Sequence, residues 1–171
     1  MISALSADGT GYPVSPLDVE MRIRPVVPAD RGFVIAAAHR LASFGPPAWR
    51  SSEEIVNGET RTLEGFFAAP PDGAALLIAE SEGERLGFAY LERLQDYFTL
   101  EPHGHVSMLV VAEEAEGKGV GGALMRAAEA WAREHGYLRL TLNVFEANHA
   151  ARAVYEHLGY APETLRYVKI L

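Results

Sequence analysis

Residues 110–125 read VVAEEAEGKGVGGALM and form the most informative segment of the chain. An apolar run ends at two valines, four glycines fall within positions 117–122, and an apolar segment typical of a helix follows. Glycine lets the main chain approach a ligand closely, and the first turn of a helix carries unpaired N–H groups and a partial positive charge. The stretch therefore predicts a strand, a tight turn and a helix N-terminus that bind an anion, most often a phosphate.

Two known phosphate motifs can be compared with this stretch. A P-loop requires Ser or Thr after its lysine, but Lys118 is followed by Gly119. The G-x-G-x-x-G of dinucleotide-binding proteins is present at residues 117–122, and Glu146 lies near the position of its acidic ribose contact. That fold needs further β-α units after the turn, and hairpins cannot join the parallel strands that should precede it. A nucleotide-binding oxidoreductase is therefore an alternative that the predicted topology disfavours.

The composition is that of an ordinary globular protein with one domain. Of the 171 residues, 49% are hydrophobic and 22% are charged, and 15 basic and 23 acidic residues give a net charge of −8. This charge disfavours nucleic acid or an anionic membrane as a partner. The lack of cysteine excludes disulfides and thiolate catalysis, and no apolar run approaches the ~18 residues of a membrane span.

The beginning of the chain differs from the rest. Residues 6–16 contain two glycines, two prolines and several hydroxyl groups, and the start lacks the basic and apolar regions of a signal peptide. We therefore predict a flexible N-terminal lead over 1–20, a single domain over 21–171 and a cytoplasmic location.

Apolar periodicity and turn residues predict the order β-α-α-β-β-β-α-β-α-β. The predicted helices cover 33–44, 51–67, 119–135 and 148–158. The predicted strands cover 21–27, 75–81, 86–94, 104–111 and 138–145, with a last strand or two within 160–171. Because Glu82-Gly83-Glu84 predicts a hairpin and one β-α-β crossover surrounds the glycine turn, the expected fold is a mixed α/β sheet rather than a doubly wound one.

Residues 111–124 resemble the acetyl-CoA signature of the GNAT superfamily of N-acetyltransferases, whose core is Arg/Gln-x-x-Gly-x-Gly/Ala. Gly119 and Gly121 match its glycines, whereas Glu116 stands at the Arg/Gln position. The segment LNVFEANHAARAVYEHLGY, residues 142–160, is similar to the family's second signature. The matching positions there are Asn148, Ala151, Tyr155, Leu158 and Gly159. The resemblance spans 21–171 and implies a predominantly antiparallel sheet, splayed beside the glycine turn and flanked by four helices.

The resemblance implies acetyl-CoA as cosubstrate and no metal. The pantetheine arm would lie in the splay, and the glycine-turn N–H groups would bind the diphosphate. The carboxylate of Glu116 would bring negative charge there unless it pointed to solvent, and Lys118 would compensate in part. Asn148 is expected to cap its helix, to contact the cofactor or a water, or both. The residues implied in cofactor binding are Leu109, Val110, Val111, Glu116, Gly117, Lys118, Gly119, Val120, Gly121, Gly122, Asn148 and Tyr155.

The implied reaction is direct transfer of the acetyl group to a primary amine in a ternary complex. A main-chain N–H of Val110 or Val111 would stabilise the carbonyl oxygen, and Tyr155 would protonate the leaving thiolate, because a phenol with a pKa of about 10 is protonated at neutral pH. Relatives often carry a glutamate where this chain has Ser107 and Met108, so the general base stays open. We place His105 first because imidazole titrates near neutral pH. The other candidates are His103, Glu101, Glu92 and a water chain.

The acceptor is expected to be a small-molecule or peptide amine. Aromatic residues that could form its pocket are Trp49, Phe66, Phe67, Tyr97 and Phe98, and acidic residues that favour a cation are Glu53, Glu54, Asp96 and Glu101. The main rival function is an acyl-CoA-binding or regulatory module without turnover, which Glu116 and the missing strand glutamate motivate. A homodimer is an expectation at the level of the family only.

Overall fold

A computed structural model describes residues 21–171, so the predicted lead over 1–20 lies outside the described residues. The strands are β1 (Arg22–Pro25), β2 (Ala75–Ser81), β3 (Glu84–Gln95), β4 (Pro102–Val111) and β5 (Leu140–Leu142). The α-helices are α1 (Arg31–Ala37), α2 (Ser52–Ala68), α3 (Val120–Glu134) and α4 (His149–His157). Short 3₁₀ turns cover Pro28–Asp30, Ala38–Ala42 and Glu113–Ala115. No helix within 21–171 is long and apolar enough to cross a membrane.

The five strands form one sheet in the order β1-β2-β3-β4-β5. The first four pair antiparallel with their neighbours, and β5 pairs parallel with β4. The β2–β3 hairpin turns at Glu82 and Gly83, which both have positive φ, as a tight hairpin turn requires. The predicted mixed and mostly antiparallel sheet with four helices is therefore confirmed.

Each face of the sheet has its own core. On one face α1 and α2 pack on β2, β3 and β4 through residues such as Phe66, Phe88 and Met108. On the other face the amphipathic helix α3 packs through Leu124 and other apolar residues. A capping box between Ser51 and Glu54 fixes the start of α2.

A β-bulge at Ser107 changes the direction of the side chains along β4. Tyr90 is opposite Met108 but the next residue, Leu91, is opposite Val106, so Ser107 is the extra residue. Residues two apart in a regular strand share a face, yet Val106 packs on the α3 side and Met108 on the α1–α2 side. The bulge therefore changes which face of the sheet the β4 side chains occupy between Val106 and Met108.

The largest differences from the predicted elements concern the first helix, the strand after α3 and the end of the chain. The first helix, predicted over 33–44, ends at Ala37 and continues as a 3₁₀ turn to Ala42. The strand predicted over 138–145 is reduced to Leu140–Leu142, where β5 lies against β4. The predicted strand within 160–171 is wrong, because none of these residues is in a strand paired with another described strand, and Leu165 and Ile170 are exposed. Alternating apolar residues make a strand only where a neighbour completes the ladder.

Candidate active site

The sheet opens between β4 and β5. Only Gly104–Val106 pair with β5, so the β4 edge from Ser107 to Val111 has no neighbouring strand in the described part of the chain. Ala112 donates its N–H to the carbonyl of Leu86 on the β3 side at 2.8 Å. Main-chain groups alternate in direction along a strand, so Leu109 and Val111 present theirs to the open edge.

This geometry corrects one expectation for the cofactor site. Val110 lies two residues before Ala112, whose N–H donates to Leu86, so the main-chain groups of Val110 also face β3. Its N–H therefore cannot donate to a ligand in the splay, as the sequence analysis allowed. The N–H groups of Leu109 and Val111 face the open edge and can donate to a ligand there.

The glycine turn follows directly after the open edge. Gly117 and Gly119 have φ of +72° and +78°, a left-handed conformation that favours glycine. A Cβ built at either residue meets no atom within 4 Å, so the protein leaves space around both. Gly119 is the N-cap of α3, whose first N–H groups have no partner inside the helix. Space and unpaired donors at one helix N-terminus are suited to a phosphate group.

Two arginines near the glycine turn were missed by the sequence analysis. Arg40, from the 3₁₀ turn after α1, forms ion pairs with Glu116 and, at 3.5 Å, with Glu113. Arg126 Nη1 lies beside the first turn of α3, 3.4 Å from where a Cβ at Gly122 would stand. The four-residue spacing from Gly122 to Arg126 was a usable helical signal. Arg40 and Glu116 are 76 residues apart, so no local pattern in the sequence indicated their contact.

The helix α4 carries the second predicted signature. Its N-cap is Asn148, whose side-chain oxygen accepts from the N–H of Ala151 at 3.1 Å, so the capping role is present. Tyr155 lies partly buried against the α3-side core, with its ring packed edge-on against Tyr160 at 6.2 Å between centroids. Burial raises the pKa of Tyr155, which keeps its phenol protonated at neutral pH.

Glu92 lies beside the bulge on the α1–α2 face of the sheet. Its carboxylate accepts a hydrogen bond from the hydroxyl of Ser107 and another from Tyr90 at 3.1 Å. The cross-strand partner of Glu92 is His105. A carboxylate on β3 is therefore bonded to the extra residue of the β4 bulge.

The His105 ring is buried and bonded on both nitrogens. Nδ1 lies 2.8 Å from the hydroxyl of Thr141, and Nε2 lies 3.4 Å from the amide nitrogen of Asn143. These contacts fit a neutral ring in which Nδ1–H donates to Thr141 and Nε2 accepts from Asn143. Burial lowers the pKa of His105, and the charge of Glu92 opposes part of that effect.

Two further titratable residues lie near the Glu92–His105 pair. Burial and the charge of Glu92 raise the pKa of Glu59, which α2 supplies. His103 is 9% exposed, and its Nδ1 has no hydrogen-bond partner among the described residues. The structure thus brings together three of the predicted base candidates, namely Glu92, His103 and His105.

The other predicted acceptor residues are dispersed. Glu101 is exposed at the end of a loop, Asp96 is bonded within that loop and to Arg139, and Glu54 belongs to the α2 capping box. Phe66 is core, and Tyr97 and Phe98 are more than 80% exposed. Of these residues, Phe66 packs edge-on against Tyr90, which donates to Glu92. A stack of Phe44 on Phe145, with centroids 4.7 Å apart, joins the segment after α1 to the segment after β5.

Comparison with known proteins places this geometry in a family. Residues 37–160 match the family model described as "Acetyltransferase (GNAT) family". The chain is 30% identical over 149 residues to aminoglycoside N(6')-acetyltransferase type 1 of Stenotrophomonas maltophilia, covering 85% of this chain and 89% of the relative. It is 31% identical over 160 residues to mycothiol acetyltransferase of Jonesia denitrificans, covering 85% of this chain and 48% of the relative.

Coverage of the relatives is uneven. Two further curated relatives, the uncharacterized N-acetyltransferases YhfO and YobR of Bacillus subtilis, are covered over 61% and 29% of their lengths. A solved structure of aminoglycoside N-acetyltransferase AAC(6')-Iy in complex with CoA superposes with a TM-score of 0.67 at 21% identity, covering 92% of this chain and 98% of that one. The family model, the relatives and the fold agree, and this chain belongs to the GNAT family of acetyltransferases.

Proposed function

We propose that the protein transfers the acetyl group of acetyl-CoA to a primary amine of a small molecule or peptide, by direct attack in a ternary complex. The observation that carries the proposal is the junction of the open β4 edge with the glycine turn, which is accompanied by the half-buried Glu92 opposite the buried His105. In the reaction a C–N bond forms, the thioester C–S bond breaks, and the products are an amide and the CoA thiol.

The residues around the splay fit acetyl-CoA as the donor substrate. The main-chain groups of Leu109 and Val111 are free to pair with the pantetheine arm, and the N–H groups of residues 119–122 are free to bind the diphosphate. The empty space at Gly117 and Gly119 gives the phosphate oxygens room. An exposed Lys118 and the nearby Arg126 add positive charge.

Two groups would handle the charge that develops on the thioester. The N–H of Val111 faces the open edge and can donate to the carbonyl oxygen as it becomes negative. Tyr155 would donate its proton to the departing thiolate, since burial keeps the phenol protonated. A positioned acid of this kind contributes roughly 10²–10⁴ in rate.

The amine must lose a proton before it attacks. In our assignment the carboxylate of Glu92 binds the ammonium group of the acceptor, and Nε2 of His105 accepts the proton that this group loses. His105 is neutral at pH 7 because burial lowers the pKa of His105. The amine, or a water that relays its proton, would take the place of the Asn143 amide at Nε2. Both side chains already share one face of neighbouring strands.

The acceptor is proposed to be cationic. Glu59 and Glu92 bring two carboxyl groups to one partly buried region, which favours an amine with further positive charge. The relatives named as aminoglycoside and mycothiol acetyltransferases support a small-molecule amine as the acceptor class.

Release of the CoA thiol across a panel of amines tests the proposal. The panel contains aminoglycosides, polyamines, amino acids and peptides with free N-termini. We expect release above the hydrolytic background with polycationic amines, and a loss of about 10²-fold or more in the Glu92→Gln variant. Tight binding of acetyl-CoA without release on any amine would contradict the proposal and favour an acyl-CoA-binding module.

A further inference from the structure

Arg40 connects the 3₁₀ turn after α1 to the segment that precedes the glycine turn. It lies in the 3₁₀ turn Ala38–Ala42, which packs against β4 and α2. One guanidinium nitrogen is paired with Glu116 and another lies 3.5 Å from Glu113. Both glutamates belong to the segment that leads from β4 into α3.

The pair is more than a contact between two exposed side chains. The Arg40 side chain is 18% exposed, whereas those of Glu116 and Glu113 are 60% and 81% exposed. Packing therefore restricts the Arg40 side chain, and the more exposed glutamates pair with its guanidinium. A fixed arginine loses less conformational entropy on binding an anion than a freely moving one.

The acidic residues before the glycine turn favour a further cation beside it. Glu113, Glu114 and Glu116 precede the glycines, with Lys118 as the basic residue among them. Glu116 directly precedes Gly117, so a carboxylate stands at the border of the proposed diphosphate site. The carboxylate of Glu116 and a bound diphosphate repel each other, and this repulsion weakens binding of the diphosphate unless a cation compensates it.

We infer that Arg40 supplies this compensation from a different part of the chain and is a positioning residue for the diphosphate of acetyl-CoA. The guanidinium neutralises Glu116, ties that carboxylate to the 3₁₀ turn Ala38–Ala42, and retains donors beyond those bonded to the two glutamates. The inference rests on the proposed function, because it assumes that acetyl-CoA binds at the glycine turn.

The test compares acetyl-CoA with an acetyl donor that lacks the diphosphate and the 3′-phosphoadenosine of coenzyme A. S-acetylpantetheine has the thioester and the pantetheine arm of acetyl-CoA but no diphosphate. The variant Arg40→Met retains the apolar stem and removes the charge. We expect KM for acetyl-CoA to rise about tenfold, equivalent to about 1.4 kcal/mol, with kcat unchanged. The value of kcat/KM for S-acetylpantetheine should stay at the wild-type level.

A rescue variant and a control sharpen the test. Removing the uncompensated carboxylate in Arg40→Met/Glu116→Gln should restore KM for acetyl-CoA to within about threefold of wild type. Arg31→Ala removes an exposed arginine of α1 that is paired with Glu64 and should leave both donors unaffected. Thermal melting of each variant checks that the fold is retained.

The outcomes separate the inference from the proposed function. Equal losses with both donors in Arg40→Met, or no rescue by Glu116→Gln, would show a purely structural ion pair and overturn the inference. An unchanged KM for acetyl-CoA in Arg40→Met would overturn it as well. If the wild-type protein used the two donors equally well, the phosphate site itself would be refuted.

Discussion

Gly119 and Gly136 have similar backbone conformations, but we assign phosphate binding only to Gly119. Gly119 and Gly136 have nearly the same φ, +78° and +71°, and a Cβ at either position meets no atom within 4 Å. Alanine at each position should therefore cost a similar free energy of unfolding, about 1–2 kcal/mol. Only Gly119 lies at the N-terminus of α3, where we place the diphosphate, whereas Gly136 follows its C-terminus.

The first prediction uses this matched pair. Gly119→Ala should raise KM for acetyl-CoA about tenfold or more, because its methyl group occupies space needed by phosphate oxygens. Gly136→Ala should leave KM unchanged while lowering the unfolding free energy by a similar amount. Steady-state kinetics and urea denaturation of both variants measure this. A change in KM that is the same in the two variants would refute the assignment of the turn.

Tyr155 gives a second prediction. Tyr155→Phe removes the hydroxyl and keeps the ring that packs against Tyr160. We expect kcat to fall roughly 10²-fold with little change in the dissociation constant of acetyl-CoA, because the proton is needed only as the thiolate leaves. Equal kcat values for the two proteins would remove the phenol from the mechanism.

The pH dependence of the reaction tests the Glu92–His105 pair. The pKa of His105 lies below its usual value of about 6.5, so kcat/KM should rise with pH below neutrality and reach a plateau by pH 7. The charge of Glu92 raises the pKa of His105, and Glu92→Gln should therefore move the rising limb to lower pH as well as lowering the plateau. His105→Gln should abolish the limb. A rising limb that persists unchanged in His105→Gln would assign the base to another group.

At the scale of elements, a buried carboxylate anchors α1 to the sheet. Asp30 is fully buried and accepts from Arg24 at 2.7 Å, from Arg85 at 2.6 Å and from the N–H of Val27 at 2.9 Å. The arginines hold the pKa of Asp30 far below its usual range. The start of α1, and through it the turn that carries Arg40, therefore depends on this group of charges.

Asp30→Asn should lower the free energy of unfolding by about 3–5 kcal/mol, because two arginines lose their buried partner. The wild-type contribution is complete above the unfolded pKa of about 3.9 and is lost as the pH falls towards the depressed folded value. Urea denaturation at pH 7 and at pH 3 measures both effects. The difference between the two proteins should shrink at the lower pH. An Asn variant as stable as wild type at pH 7 would contradict the anchoring role.

The elements differ in how far the sequence could predict them. The amphipathic pattern of α3 and the Ser51–Glu54 capping box are local signals, and both helices lie where they were expected. The bulge at Ser107 depends on the pairing of β3 with β4, and the short β5 depends on where β4 turns away. Such tertiary effects leave little trace in the local pattern. For the same reason the strand expected within 160–171 was wrong.

At the scale of the whole molecule, the resemblance predicted more than periodicity could. The two signatures implied the splay, and the structure shows it as an unpaired β4 edge beside the glycine turn. The partner of Glu116 was beyond prediction, because Arg40 meets it only after the helical layer has folded onto the sheet. Likewise Glu92 becomes the neighbour of Ser107 only through the register of β3 and β4.

Calorimetric titration of the wild-type protein with acetyl-CoA, S-acetylpantetheine and NADH tests whether the glycine turn binds the diphosphate of coenzyme A. We expect saturable binding of one acetyl-CoA per chain, at least about tenfold weaker binding of S-acetylpantetheine, and no binding of NADH. Equal affinity for the two thioesters, or a preference for NADH, would contradict a coenzyme A diphosphate site at residues 117–122.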